Sequence, residues 1–491
     1  MIPMATNIHV GHQKLRITPR LSPSNFKIVR DKFTYVMKGF QFTTQHKQYG
    51  WNGHRTLFFK DQSAPAGCLY RMMRTLEDHC GIDDIEVTYA NDYSPKGKIE
   101  VHGFDLQVFQ DSAVKRVILY RRGIIEAPVR AGKTAIAAAI INRIGHVPVW
   151  VITFGKDLVR QTRKDLEYHL QMDVGVFSES EYIPGDVVVT SYQAINRALT
   201  KNKTRKSVLA GSTQERNDKI LESINEARVV IFDECHHAYS PKNKKILSEI
   251  KSAGYVIGLS GTPKPDSMNQ LEVEAALGSI IFRVKYETLI KHGRLARPMI
   301  ILYKLPYRWY TTALKDFAEV YEGNIVENMH RNIFISDIVK NLRQSGKSTF
   351  VMIRKLAHGP ILRALIPGSV FVHGSIPSDQ RAELYQQLQH KKIWCVISTV
   401  GKEGLNIPKL DAVVNAEGLE SSVVTLQKMR SLTATEGKKR GLVIDFLDRG
   451  KFLTKHSKAR VKLYRKVAKN DIKIKVVPST QYDTEGSRWE V

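Results

Sequence analysis

Apolar and polar positions along this chain follow two different periods, and the alternation between them organises the sequence. From Val101 to about Arg294, short runs that are apolar throughout (Ile124-Ile125, Val147–Thr153, Val187–Thr190, Val229–Phe232, Val256–Leu259) are separated by stretches with helical spacing, such as Ala135–Arg143 and Leu158–Leu170. A strand apolar on both faces must be covered on both faces, so this pattern predicts a parallel sheet between layers of helix. The pattern then recurs, with Thr349–Ile353, Val370–Val372, Ile393–Ser398, Ala412–Asn415 and Leu442–Ile444 as a second strand series. The expected fold class is α/β, with two tandem parallel-sheet lobes at 101–295 and 296–455 joined near Leu295–Tyr307. Residues 1–100 follow neither period for long and read as a small α+β module. Lys201–Lys219 reads as a polar loop, and 456–491 as a basic tail.

Composition sharpens this picture in one respect. The 491 residues suffice for three compact units, and 42% of them are hydrophobic. Lysine and arginine outnumber the acids 75 to 48, a net charge of +27. So large a charge calls for a polyanionic partner or a reason to tolerate self-repulsion. Nucleic acid fits, because cationic side chains displace the counterions condensed on phosphate. The plainer alternative is a surface that is simply rich in lysine. The four cysteines, Cys68, Cys80, Cys235 and Cys395, form no CxxC pair and no zinc pattern, and read as reduced packing residues. No apolar run approaches the ~20 residues that span a bilayer, and Met1–Arg20 lacks a signal-peptide core. The expected setting is cytoplasmic, that of the host cell if a phage encodes the chain, with no membrane partner.

Ala127-Pro128-Val129-Arg130-Ala131-Gly132-Lys133-Thr134 follows an apolar strand and opens a helical stretch, the context a phosphate-binding loop requires. Backbone N–H groups of such a loop cradle phosphate oxygens. Lys133 would reach the β- and γ-phosphates, and the Thr134 hydroxyl would hold Mg²⁺. Ala127 replaces the first glycine of the general pattern. About a hundred residues on, Asp233-Glu234-Cys235-His236 ends another apolar strand. Adjacent carboxylates there suit a hard cation and an activated water. Asp233 would serve the Mg²⁺, Glu234 would orient and deprotonate the attacking water, and His236 would sense the γ-phosphate or couple the lobes. Alone, an acidic pair after a strand reads as a helix cap; with the phosphate loop upstream, the catalytic reading prevails. The cofactors expected are ATP and Mg²⁺.

With these motifs the sequence resembles superfamily 2 helicases over nearly everything after residue 100. The resemblance implies two RecA-like lobes, ATP hydrolysis and movement along nucleic acid. It places Gln110, in Leu106-Gln107-Val108-Phe109-Gln110, at the adenine base, and Ser260-Gly261-Thr262-Pro263 as the element linking hydrolysis to lobe movement. Thr153–Thr162 looks like the motif that touches the DNA backbone through Lys156 and Arg160. Thr190, Ser191 and Tyr192 look like the next DNA contact. Arg354 and Lys355, in the stretch ending at His358, resemble a third, with Val372-His373-Gly374 the element after it. Thr399 to Pro408 resembles motif V, with Thr399 at DNA and Gly404 and Asn406 at the nucleotide. Asn406 departs from the family's aspartate there.

The sixth motif departs further. Gln427-Lys428-Met429-Arg430-Ser431-Leu432-Thr433-Ala434 keeps the glutamine, but Ala434 stands where the family's last arginine belongs, and the earlier arginine is shifted by one to Arg430. The expectation is that Arg430, with Gln427 and Lys428 beside it, neutralises the transferring phosphate in a shifted register; the alternative is slow hydrolysis. Within the superfamily, the chain is most similar to phage UvsW-type helicases that remodel branched DNA. That likeness rests on overall size, on the Asp-Glu-Cys-His form of the box, and on Trp51-Asn52-Gly53-His54-Arg55. In the latter, Trp51, His54 and Arg55 are expected at DNA, and Asn52 replaces an aspartate. A core role for Trp51 with a turn at Gly53 is the plainer reading, and the two are compatible.

The sequence therefore leads to an ATP-driven motor acting as a monomer on forked or branched DNA. The alternatives are the motor of a restriction system or transcription-coupled translocase, and a weakly hydrolysing DNA-binding scaffold.

Overall fold

The computed structural model describes residues 5–90, 94–128, 130–178, 181–201, 211–240, 242–263, 268–295, 297–314, 316–399, 410–419, 440–468 and 471–478. They form two compact units, one comprising Met1–Ala127 and Ala131–Val284, the other Pro128–Arg130 and Lys285–Val491.

In the first unit, eight strands form one sheet in the order Tyr182–Ile183, Gly175–Phe177, Val187–Ser191, Val149–Thr153, Val229–Asp233, Tyr255–Ser260, Arg122–Glu126 and Ile280–Arg283. All neighbours run parallel except the Tyr182–Ile183 edge, which pairs antiparallel with Gly175–Phe177. Val149–Thr153 and Val187–Ser191 are buried at every position, as the unbroken apolar runs require. Helices Lys133–Ile144 and Lys156–Leu170 lie where helical spacing placed them. Part of the expected 201–219 loop is instead helical, since Gly211–Glu226 is one helix.

The N-terminal module belongs to this same unit. Its sheet has the order Ser63–Pro65, Lys14–Thr18, Thr6–Val10, Ile85–Tyr89, with a separate hairpin pairing Thr34–Val36 and His54–Thr56. Ile8, Leu15, Val29, Phe33, Phe58 and Met72 close a core of their own. That core continues onto the lobe through Ala275, on helix Gln270–Leu277. Polar bonds span the seam. Arg71 holds the buried Glu274 by both carboxylate oxygens, one at 3.2 Å. Gln13 donates to the Ser248 carbonyl at 2.9 Å. Gly67 sits so close that a Cβ there would lie 2.1 Å from the Glu274 carbonyl oxygen.

The second unit carries a seven-stranded parallel sheet, ordered Val370–Val372, Cys395–Ser398, Thr349–Met352, Ala412–Asn415, Arg440–Leu447, Arg297–Lys304, Ile472–Val476. Two expectations are corrected here. The presumed joint at Leu295–Tyr307 is largely Arg297–Lys304, a strand inside the sheet. The presumed tail contributes helix Leu453–Ala468 and the edge strand Ile472–Val476. The helix's lysines masked an inward face on which Leu463 and Tyr464 are buried. Among the described residues no helix is long and apolar enough to cross a membrane.

Candidate active site

Strand Arg122–Glu126 delivers the chain into the phosphate loop at the carboxyl edge of the first sheet, where parallel α/β folds place their ligands. Ala127 and Ala131 are wholly buried, and Ala127 N–H donates to the Ser260 carbonyl at 2.9 Å. Gly132 takes φ 75° and ψ 49° immediately before helix Lys133–Ile144, and Arg130 also has positive φ, 69°. Gly132 thus turns the chain directly into the helix, whose N-terminal N–H groups suit a phosphate.

Gln110 supports the loop from beneath. It is fully buried; its amide donates to the Ala131 carbonyl at 2.9 Å and accepts from the Gln107 N–H at 2.9 Å. A Cβ on Gly132 would come within 2.4 Å of that amide nitrogen. The side chain expected at adenine is thus engaged in holding the loop and capping helix Val108–Tyr120.

Strand Val229–Asp233 brings the acidic pair to the same edge. Lys133 forms an ion pair with Glu234 and lies 3.7 Å from Asp233. Ser260 donates to the other oxygen of Glu234 at 3.2 Å, and His236 Nδ1 lies 3.2 Å from the same hydroxyl and 3.4 Å from the carboxylate. The phosphate loop, the acidic box and the Ser260–Pro263 element thus meet at one carboxylate. Burial opposes the charge on Glu234, but Lys133 and then His236 outweigh it and hold its pKa below the ordinary range. Asp233 goes the other way, because burial raises its pKa more than Lys133 lowers it. Its Oδ1 is buried with no hydrogen-bond partner. A buried carboxylate oxygen left open beside an ion-paired lysine is what a hard cation would occupy. With the Thr134 hydroxyl at the helix start, the donor set fits Mg²⁺.

The sequence-predicted nucleic-acid contacts fare unevenly. Thr190 is fully buried and its hydroxyl donates to the Phe177 carbonyl at 2.7 Å. Ser191 accepts from the Ala194 N–H, and Tyr192 is packed beside Phe232. These three side chains build the lobe's core and the start of the next helix, which corrects their reading as a contact surface. Lys156 and Arg160 lie on helix Lys156–Leu170, with Arg160 exposed. In the second unit Arg354 and Lys355 are exposed, with Lys355 3.4 Å from Glu322, and Thr399 follows strand Cys395–Ser398. In the module, Trp51 is half-buried, its indole N–H donates to the His54 carbonyl at 3.2 Å, and Arg55 lies 5.6 Å over its ring. Gly53 takes φ 80° against Phe40. His54 and Arg55 are exposed. Gly404, Asn406, Gln427 and Arg430 lie outside the described residues.

Sequence reasoning missed a stacked pair beside the box. Phe154 and His237 lie face to face at 4.0 Å and 14°, so the Thr153–Thr162 segment leans on the acidic box. Adjacent histidines were the available signal, but only the fold brings Phe154 to them.

Residues 104–265 match the type III restriction enzyme res subunit family, and 335–430 match the helicase conserved C-terminal domain. The ATP-dependent DNA helicase UvsW of Enterobacteria phage T4 is 23% identical over 446 residues, 85% of each chain. The DNA 3'-5' translocase XPB2 of Sulfurisphaera tokodaii is 28% identical over 46% of this chain and 44% of its own. Among solved structures, the ATP-dependent Type ISP restriction-modification enzyme LlaBIII bound to DNA shares the fold over 77% of this chain and 32% of its own, at 14% identity and a TM-score of 0.55. With both helicase domains matched in tandem and the phosphate loop joined to its acidic box, this chain belongs to the superfamily 2 helicases, ATP-dependent hydrolases.

Proposed function

We propose that this protein uses ATP and Mg²⁺ to move along DNA and remodel forks and other branched structures by unwinding, fork regression or branch migration. The observation carrying the motor reading is Glu234, contacted by Lys133 of the phosphate loop and by Ser260 and His236. Glu234, kept ionised, accepts a proton from the attacking water. Lys133 neutralises charge on the phosphates, and His236 with Ser260 passes the state of the site to the Ser260–Pro263 element. Mg²⁺, when bound, screens the charge of the transferring phosphate; Asp233 and Thr134 would hold it.

Support for branched DNA comes from the resemblance of the sequence to UvsW-type helicases and from the module's Trp51–Arg55 segment, which pairs an aromatic platform with exposed cations. The test compares equilibrium binding of fork, four-way junction and linear duplex at one salt concentration. The protein should prefer the branched forms, and Trp51→Ala with Arg55→Ala should reduce that preference. Equal affinity of the unaltered protein for all three overturns the branch assignment.

A second reading, a duplex translocase of a restriction system, draws on the match of 104–265 to the res subunit family. Triplex displacement without strand separation would favour it.

A further inference from the structure

A cavity of about 350 Å³ opens at the seam between the N-terminal module and the first lobe. It lies apart from the ATP site. Arg122, on its wall, begins the strand whose far end enters the phosphate loop. Four residue steps at ~3.3 Å each put roughly 13 Å between the two.

Its chemistry is mixed in a specific way. Leu57, Leu247, Val256 and Ala276 give it apolar lining. Three cations, Arg55, Arg122 and Lys244, line the same space. The only acid there, Glu272, is already engaged: it accepts from the Tyr35 hydroxyl at 3.0 Å and from the Asn269 N–H at 3.3 Å. Arg122 donates to the His12 carbonyl at 2.9 Å, yet among the described residues no carboxylate pairs with it. Burial alone brings its pKa down to about 10. A partly buried guanidinium without an anion leaves a desolvation cost that an incoming anion would repay. Arg55 faces both ways, over the Trp51 ring at 5.6 Å and beside the Tyr35 hydroxyl.

A cavity lined by apolar side chains together with cations that lack an anion among the described residues matches one ligand class, an aromatic base joined to a phosphate. We infer that this cavity takes a single unstacked nucleotide of the DNA, extruded where the duplex branches and passed from Trp51 to Arg55 and Arg122. The inference rests on the branched-DNA reading and deepens it, since it names the element of the branch that is recognised. A branch point offers such a nucleotide cheaply, because unpairing costs least where stacking is already interrupted. A continuous duplex does not.

The test uses the full chain and a fork carrying 2-aminopurine at the junction. Binding should raise the probe's fluorescence, reporting an unstacked base, while the same probe inside linear duplex stays quenched. Ala276→Phe, which fills the slot, and Arg122→Met, which removes the anion partner, should each abolish the rise and weaken fork binding about tenfold. ATPase stimulated by unstructured single strands should be unchanged. Lys244→Gln, an exposed substitution with little bearing on folding, should give a smaller loss of the same kind, and thermal melting identifies any variant that fails to fold. Full fluorescence rise and unaltered fork affinity in the folded variants overturn the inference while leaving fork preference intact. Absence of fork preference in the unaltered protein instead overturns the branched-DNA reading. Loss of the signal on adding micromolar deoxyadenosine monophosphate would assign the slot to a free nucleotide rather than to the DNA strand.

Discussion

The two lobes repeat one architecture, and both collect charged side chains around the carboxyl ends of their strands, but they do so to opposite ends. In the first lobe Lys133, Asp233, Glu234 and His236 are 9–21% exposed, and Asp233 keeps an oxygen that accepts no hydrogen bond and has only Lys133, 3.7 Å away, as its ion-pair partner among the described residues. In the second, Arg331 and Asp448 pair at zero exposure. Tyr310 donates to Asp448, and Arg460 and Tyr464 both bond Asp445, which also accepts from Asn415 at 3.1 Å. That network is closed save for one Arg331 nitrogen, and the Arg331 guanidinium lies 5.1 Å over the Phe446 ring. Open valence marks the place where a ligand completes the structure. Saturated valence marks a frame that holds strands and helices in one arrangement.

This contrast can be broken by substitution. Lys133→Ala or Glu234→Gln should take nucleic-acid-stimulated phosphate release to background, while DNA affinity without nucleotide stays within a few-fold; undiminished turnover in either variant removes the site assignment. Arg430→Ala should lower kcat by about 10³-fold or more with ATP affinity nearly unchanged, as for a contact made only in the transition state. Ala434→Arg should then gain little, and a large gain would show that hydrolysis in this chain is held back by the missing arginine. Neither Lys133→Ala nor Glu234→Gln should cost much stability.

In the second lobe the order reverses. Asp448→Asn or Arg331→Met should destabilise the lobe by about 3–5 kcal/mol, since each strands a buried charge, and denaturant melting should show it. ATP binding at the phosphate loop should survive wherever the protein remains folded. The remaining effect concerns pH. Burial, aided by Arg331, lowers the His358 pKa from 6.5 to about 3, while its Nε2 lies 2.8 Å from Asn332 Oδ1. A histidine kept neutral in the folded state contributes its full share above pH 6.5 and loses it as pH falls toward 3, because the unfolded chain takes up the proton first. Stability should therefore decline through that window, and His358→Asn should flatten the decline. An identical pH profile for the variant would show that other groups govern it.

Much of this was legible in the residues. Runs such as Val147–Thr153 and Val229–Phe232 announce buried parallel strands because no charged residue interrupts them, and Gly132-Lys133-Thr134 announces the phosphate loop by its place between strand and helix. What the sequence hid depends on distant partners. Thr190 and Tyr192 resemble nucleic-acid contacts until the Phe177 carbonyl and the Phe232 ring are seen against them. Asp448 and Arg331 are separated by 117 positions, and nothing local marks either as buried. Helix Leu453–Ala468 looked like a solvated tail because its charged face outnumbers the buried one.

The close approach of Gly67 to helix Gln270–Leu277 bears on how such motors can be recombined. Because Gly67, Arg71 and Tyr35 all meet that one helix, the module is not a cassette that detaches at residue 100. Cutting it away would bare the apolar side of Ala275 and strand the buried carboxylate of Glu274. A graft of the module onto another helicase would have to bring its landing strip along, with a glycine facing a carbonyl and a glutamate facing an arginine. Inheritance of the two segments is thereby tied together, although some two hundred residues separate them along the chain.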